Sequence, residues 1–210
     1  MWRYYITGGT ENVVEYIHRA IDDSVEYIQV REKHLTARDL FHLVSHAVQA
    51  AESTNTRILV NTRADIAIAA EAHGVHLPAN SIAPRLLRSI APPEFIIGVS
   101  CHTLDEITRA YQESADFAVF GPVFDTPGKG PALGIDALQK ACAATMLPIL
   151  ALGGITWRNA PQCIEAGAAG IAGIRLFQES QPRDESPANS TPESDPASSK
   201  QRLPPPPSQR

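Results

Sequence analysis

Long apolar runs, paired cysteines and clustered basic residues are all missing from this chain. No apolar stretch reaches the length of a membrane-spanning helix, and the opening residues lack a secretory-leader pattern. The expectation is a cytoplasmic protein with no membrane contact. The three cysteines, Cys101, Cys142 and Cys163, are odd in number, widely spaced and without a CxxC pair. That pattern argues against a disulfide framework or a zinc site. Cys142 and Cys163 fall in helical segments and read as small buried residues. The net charge is −5 and no Lys/Arg run occurs, so nucleic acid is not an expected partner. No GxGxxG follows the first apolar run, which removes the main open-sheet nucleotide-binding alternative.

What is present is regular. With 43% hydrophobic and 20% charged residues, the 210-residue chain suits one domain with a real core. Eight short apolar strands are predicted: 3–7, 25–30, 57–61, 74–78, 95–100, 117–124, 148–152 and 170–174. Between them run seven helical patterns, 11–21, 37–52, 64–72, 84–90, 104–113, 135–144 and from Thr156 or Asn159 toward Ala166. Thr36 and Thr103 are well placed as N-caps. Near-continuous apolar strands imply a sheet buried on both faces, hence parallel strands with crossover helices. Eight such units favour a closed (β/α)8 TIM barrel. After Phe177 the composition turns to Ser, Pro, Glu and Asp and includes the run Pro204–Pro207. One barrel domain over 1–178 and a disordered tail over 179–210, with local polyproline II character, are expected. No apolar-periodic segment remains for an eighth helix, which is therefore missing or truncated. The outer faces of the first and eighth strands are then covered by the first helix, by another subunit in a homo-oligomer, or poorly.

The stretch Val25–Lys33 draws attention. Strand alternation sets Gln29, Arg31 and Lys33 on one face, opposite Ile28 and Val30. Two readings fit it alone: a clamp for a phosphorylated ligand, or an edge strand with a solvated face. The barrel rule discriminates, because sites lie at the C-terminal ends of the strands. Those ends carry Gln29, Arg31 and Lys33, then Asn61, His76, Ser100 with His102, Thr126 with Lys129, and Gly153-Gly154. All converge on one mouth. The Gly153-Gly154 turn, before a helix and after the seventh strand, suits a phosphate. His76 and His102 are candidate acid–base groups near neutral pH, though His76 also fits as a hydrogen-bonded barrel residue and His102 as a loop-orienting one. Cys101 has no Cys/His/Asn partners legible in sequence and is not taken as a nucleophile.

Five segments carry a resemblance: Gln29–Lys33 (QVREK), Gly74–Leu77 (GVHL), Gly98–Thr103 (GVSCHT), Gly121–Thr126 (GPVFDT) and Gly153–Ile155 (GGI). In order and spacing they resemble the motifs of the thiamine phosphate synthase superfamily, which includes the TenI-type thiazole tautomerases. The resemblance spans about residues 3–177. It implies a barrel of thiamine biosynthesis that binds phosphorylated thiazole and pyrimidine ligands. It also implies that Gln29, Arg31, Lys33 and Asn61 line the pyrimidine diphosphate side. Ser100, Thr126 and Lys129 would hold pyrimidine and phosphate groups. The backbone at Gly154, with the turn near Ile174, would take the thiazole phosphate.

The departures matter as well. Thr62 and Ser81 stand where the synthases have the aspartates that carry Mg²⁺. Mg²⁺ prefers hard ligands including a carboxylate, and a diphosphate leaving group without its metal loses several kcal/mol of charge stabilisation. Leu77–Pro84 looks like the TenI branch, which also lacks these acids and needs no metal. Yet Pro122 stands where that branch has a His, so His102 or His76 would have to move the proton. Arg175 replaces a small residue near the phosphate turn. The expectation is a TenI-like tautomerase without cofactor. The alternatives are a thiamine phosphate synthase using Mg²⁺, and a non-catalytic regulatory protein that binds thiazole phosphate.

Overall fold

The computed structural model describes residues 1–8 and 10–179. Residues 180–210, which include nearly all of the expected tail, lie outside the described residues. Eight parallel strands close into a barrel in chain order: β1 (Trp2–Ile6), β2 (Tyr27–Val30), β3 (Arg57–Asn61), β4 (Gly74–Leu77), β5 (Ile96–Cys101), β6 (Phe117–Phe120), β7 (Ile149–Leu152) and β8 (Gly170–Gly173). The closure is made by β8 on β1, from Trp2 beside Gly170 to Tyr5 beside Gly173. Helices α1 (Val13–Asp22), α2 (Ala37–Ala51), α3 (Ala64–Ala69), α4 (Pro84–Arg88), α5 (Leu104–Gln112), α6 (Ile135–Ala143) and α7 (Ala160–Glu165) alternate with them.

Strand alternation builds two cores. Tyr4, Ile6, Leu59, Phe117, Val119, Leu150 and Ala172 fill the barrel interior. Their neighbours along each strand, such as Tyr5, Ile28, Val60 and Val99, face outward and pack under the helices. Gly98 is needed for this interior: a Cβ there would stand 2.4 Å from the Phe117 ring and 2.9 Å from His76 Nδ1. Thr36 caps α2 by accepting from Asp39 N at 3.2 Å. Thr103 and Glu106 form a reciprocal capping box at α5.

Several elements are shorter than expected. β6 stops at Phe120 rather than Phe124, because Pro122 has no N–H to continue the ladder. The backbone still follows β7 for one more bond, from Val123 N to Leu152 O at 2.8 Å. β2 starts at Tyr27, and Val25 instead closes α1 through its N–H to Ala20 O at 2.9 Å. Among the described residues, β8 is followed by the 3-10 turn Arg175–Phe177, and the expectation of a missing or truncated eighth helix falls on residues beyond it that lie outside the described residues. Leu176 and Phe177 supply the cover: Phe177 stacks at 6.0 Å from Tyr5 and 5.7 Å from Trp157. Arg19 of α1 donates to Phe177 O, and Gln178 Nε2 donates to Gly8 O at 3.0 Å. No helix among the described residues is long and apolar enough to cross a membrane.

Candidate active site

Because all eight strands are parallel and the sheet is closed, their C-terminal ends share one rim. The expected site residues divide there into an interior set and a rim set.

The interior set is one hydrogen-bonded chain. Gln29 Nε2 donates to the Tyr4 hydroxyl at 2.8 Å. That hydroxyl lies 3.1 Å from His76 Nδ1, and His76 Nε2 lies 2.9 Å from Ser100 Oγ. With Gln29 donating, the Tyr4 O–H is left to donate to Nδ1. His76 then carries its hydrogen on Nε2 and donates to Ser100, whose own hydrogen is free for a ligand. Gln29 and His76 are buried at 2% and 3% exposure, and Tyr4 is wholly buried. Burial pulls the His76 pKa down to about 3, so the ring is neutral at pH 7. Burial also pushes the Tyr4 phenol far above its ordinary value. Gln29 and His76 therefore lie inside the barrel rather than at an open mouth. Ser100, half-buried, is the end of the chain that meets the opening.

The rim set sits on loops. Strand alternation does not extend through Arg31 and Lys33, since β2 ends at Val30. Instead Thr7 pins the turn: Arg31 N–H donates to Thr7 Oγ1 at 2.9 Å, and Thr7 donates to the buried Glu32 carboxylate at 2.5 Å. Arg31 is half-buried and Lys33 exposed. Both line a cavity of about 600 Å³ between the β1–α1 and β2–α2 loops, with Thr10, Glu32 and Leu35. A second cavity of about 260 Å³ opens at the opposite end of the barrel, beside Trp2 and Tyr27, away from the rim.

Across the rim, Gly153 and Gly154 turn with φ of 95° and 63°. A Cβ on Gly153 would meet Pro122 at 2.5 Å, and one on Gly154 would meet Asp125 O at 2.6 Å. Glycine is thus required twice, by backbone conformation and by contact with the β6–α6 loop. Thr126 of that loop donates to Phe124 O at 2.9 Å, and exposed Lys129 follows it. Asn159 holds the turn from behind, donating to Gly154 O at 2.9 Å and accepting from Thr156 N at 2.8 Å. Among the described residues, the N–H groups of Gly153, Gly154, Ile174 and Arg175 donate to no protein acceptor. Such a set of free N–H groups suits an anion.

His102 is exposed on the β5–α5 loop. Its Nδ1–H donates to Gly121 O at 2.5 Å, which leaves Nε2 without a protein partner among the described residues. Cys101 is buried on the outer face of β5, where burial pushes its thiol up to about 12; it is no nucleophile at neutral pH.

The Mg²⁺ positions can be tested on their donors. Thr62 is exposed at φ 65°, and its Oγ1 accepts from Asn61 Nδ2 at 3.0 Å. The nearby carboxylate of Asp65 is gripped by Arg63 at 2.8 and 2.5 Å, a hydrogen-bonded pairing that holds it below the usual carboxylate range. Among the described residues no three His, Cys, Asp or Glu side chains gather about one point. This donor set does not fit a carboxylate-held Mg²⁺.

Tyr4, Thr7 and Asn159 were not legible as site-building residues. Tyr4 and Tyr5 look alike in sequence, and only pairing with β2 and β8 turns the first inward.

Fold and rim together define the class, a (β/α)8 barrel enzyme with its polar groups gathered at the C-terminal strand ends. The chain belongs to the family described as thiamine monophosphate synthase, whose model matches residues 3–177. It is 37% identical over 171 residues to a putative thiamine-phosphate synthase 2 of Aquifex aeolicus, covering 80% of this chain and 91% of that one. It is 39% identical over 166 residues to a thiamine-phosphate synthase of Methanocella arvoryzae, covering 76% and 77%. Thiamine phosphate pyrophosphorylase from Pyrococcus furiosus superposes with a TM-score of 0.76 at 28% identity, covering 84% of this chain and 90% of that one. The two sequence relatives carry the synthase name, and kinship to the TenI branch in particular finds no specific support among the three.

Proposed function

We propose that the protein is a transferase of the thiamine phosphate synthase type. It joins a hydroxymethylpyrimidine diphosphate to a thiazole phosphate and releases pyrophosphate. What supports this reading is that cationic side chains and a set of free N–H groups share one rim. Arg31, Lys33 and Lys129 offer cations for the diphosphate, and the free N–H groups at Gly153–Gly154 and Ile174–Arg175 offer a cradle for the thiazole phosphate. The names of the relatives favour the same chemistry. Within it, Gln29, Tyr4 and His76 act as a neutral line that fixes the Ser100 hydroxyl toward the pyrimidine. Asn61 and Thr126 complete the polar rim. With Thr62 and Ser81 in place of acids, the leaving diphosphate is neutralised by side-chain cations.

A second reading, the TenI-type tautomerase, is favoured by those same two positions, because proton transfer on a thiazole phosphate needs no metal. His102 Nε2 is then the proton carrier, since His76 is buried, neutral and bonded at both nitrogens.

Purified protein supplied with both synthase substrates, with and without a chelator, separates the readings. Thiamine phosphate formation is expected. Changing Arg31→Ala or Lys129→Ala is expected to slow it roughly a hundredfold, as for loss of a charge-assisted contact to a developing anion. No product, together with tautomer interconversion in chelator that His102→Ala abolishes, overturns the synthase reading. Tight thiazole phosphate binding without either turnover points to the regulatory binder.

A further inference from the structure

Helices α1 and α2 lie side by side on the outer ring, and their shared seam carries three exposed histidines, His18, His42 and His46. None belongs to the rim. We propose that His18 and His46 form a surface chelate for a divalent transition-metal ion of the Zn²⁺ type, joining α1 to α2.

The two imidazole rings stand 5.1 Å apart, centre to centre, at 71°. Zinc binds imidazole nitrogen at about 2.0–2.1 Å, so the ring centres of two ligands at a tetrahedral angle lie roughly 5 Å apart. The spacing suits one shared ion, and the edge-to-face pose requires one ring to rotate so that a nitrogen of each meets it. Both rings are exposed, so entry is open and binding releases no packed core. His42 precedes His46 by four residues on α2, which sets it one turn away on the same face. That spacing offers a third imidazole after a side-chain rotation. Asp22 stands one turn beyond His18 on α1, as a possible oxygen donor by the same spacing.

Imidazole selects Zn²⁺, Cu²⁺ and Ni²⁺ over Mg²⁺ and Ca²⁺, which prefer oxygen. The ion class is thus distinct from the one the synthases use at the rim. No three ligating side chains are gathered at one point among the described residues. The site accordingly begins as a two-imidazole chelate with water in the remaining positions. An ion there would tie together two neighbouring helices that otherwise meet only through side-chain packing.

The experiment is a calorimetric titration of the full, untagged chain with Zn²⁺ in a buffer that does not bind metal. One saturable site is expected. His18→Gln and His46→Gln should each weaken it at least tenfold while leaving the melting temperature of the metal-free protein unchanged. Paramagnetic Co²⁺ should broaden the ring signals of His18 and His46 before those of His102. Zn²⁺ binding that survives both substitutions, broadening that begins at His102, or the absence of saturable binding would overturn the proposal.

Discussion

Tyr4 owes its position to a hydroxyl that two other buried groups need. Its oxygen satisfies Gln29 Nε2, and its proton satisfies His76 Nδ1. Tyr4→Phe keeps the ring packing but strands both partners inside the barrel. A loss of about 1–3 kcal/mol is expected, the cost of buried polar groups left unpaired, read from urea denaturation. His76 gives the stability a pH dependence of known sign. Its folded pKa is about 3, far below the ordinary value of about 6.5. Below pH 6.5 the unfolded chain takes up a proton that the folded chain refuses. The contribution of this group is complete above about pH 6.5 and is lost as pH falls toward about 3. Urea midpoints should therefore drop between pH 7 and pH 5, and the drop should be smaller in His76→Gln. Equal drops in both proteins would show that His76 titrates normally.

At the scale of elements, two short segments do the work that long ones do elsewhere in the barrel. The turn between β7 and α7 is pressed against the β6–α6 loop so closely that neither Gly153 nor Gly154 has room for a methyl group. Gly154→Ala must push the turn away from Asp125 O and strain a backbone at φ 63°. The free N–H groups then lose their alignment. The expected outcome is a rise in KM for thiazole phosphate of about tenfold or more, with a smaller change in kcat, since roughly 1.4 kcal/mol of binding is a factor of ten. The 3-10 turn Arg175–Phe177 follows β8 directly. Its Phe177 ring, 7% exposed, packs on Tyr5 of β1 and on Trp157 of the β7–α7 connection. Phe177→Ala should cost about 3–5 kcal/mol, the usual range for such a truncation in a core. A melting temperature near that of the unchanged protein would mean that this face is covered by something else.

For the molecule as a whole, we propose that residues 1–178 are the complete folding unit. Its strands close without an edge, and Arg19 and Gln178 fasten the last turn to the first helix and strand. A chain ending at Glu179 should melt within a few degrees of the full-length protein. The sequence alone determined the architecture, because eight apolar strands alternating with amphipathic helices leave few other solutions. It also showed which strand ends carry polar side chains. It located the Gly153-Gly154 turn, since only glycine permits such a backbone at such contact. Tertiary structure decided how those residues divide. Whether a polar group at a strand end lies in the interior or on the rim depends on register and on where each ladder stops. Those are set by pairing across the chain, from Ile6 beside Gln29 to Asn61 beside His76. Pairing made Tyr4 the link between Gln29 and His76, and it turned an expected acid–base histidine into a neutral one. No local pattern of residues could have carried that information.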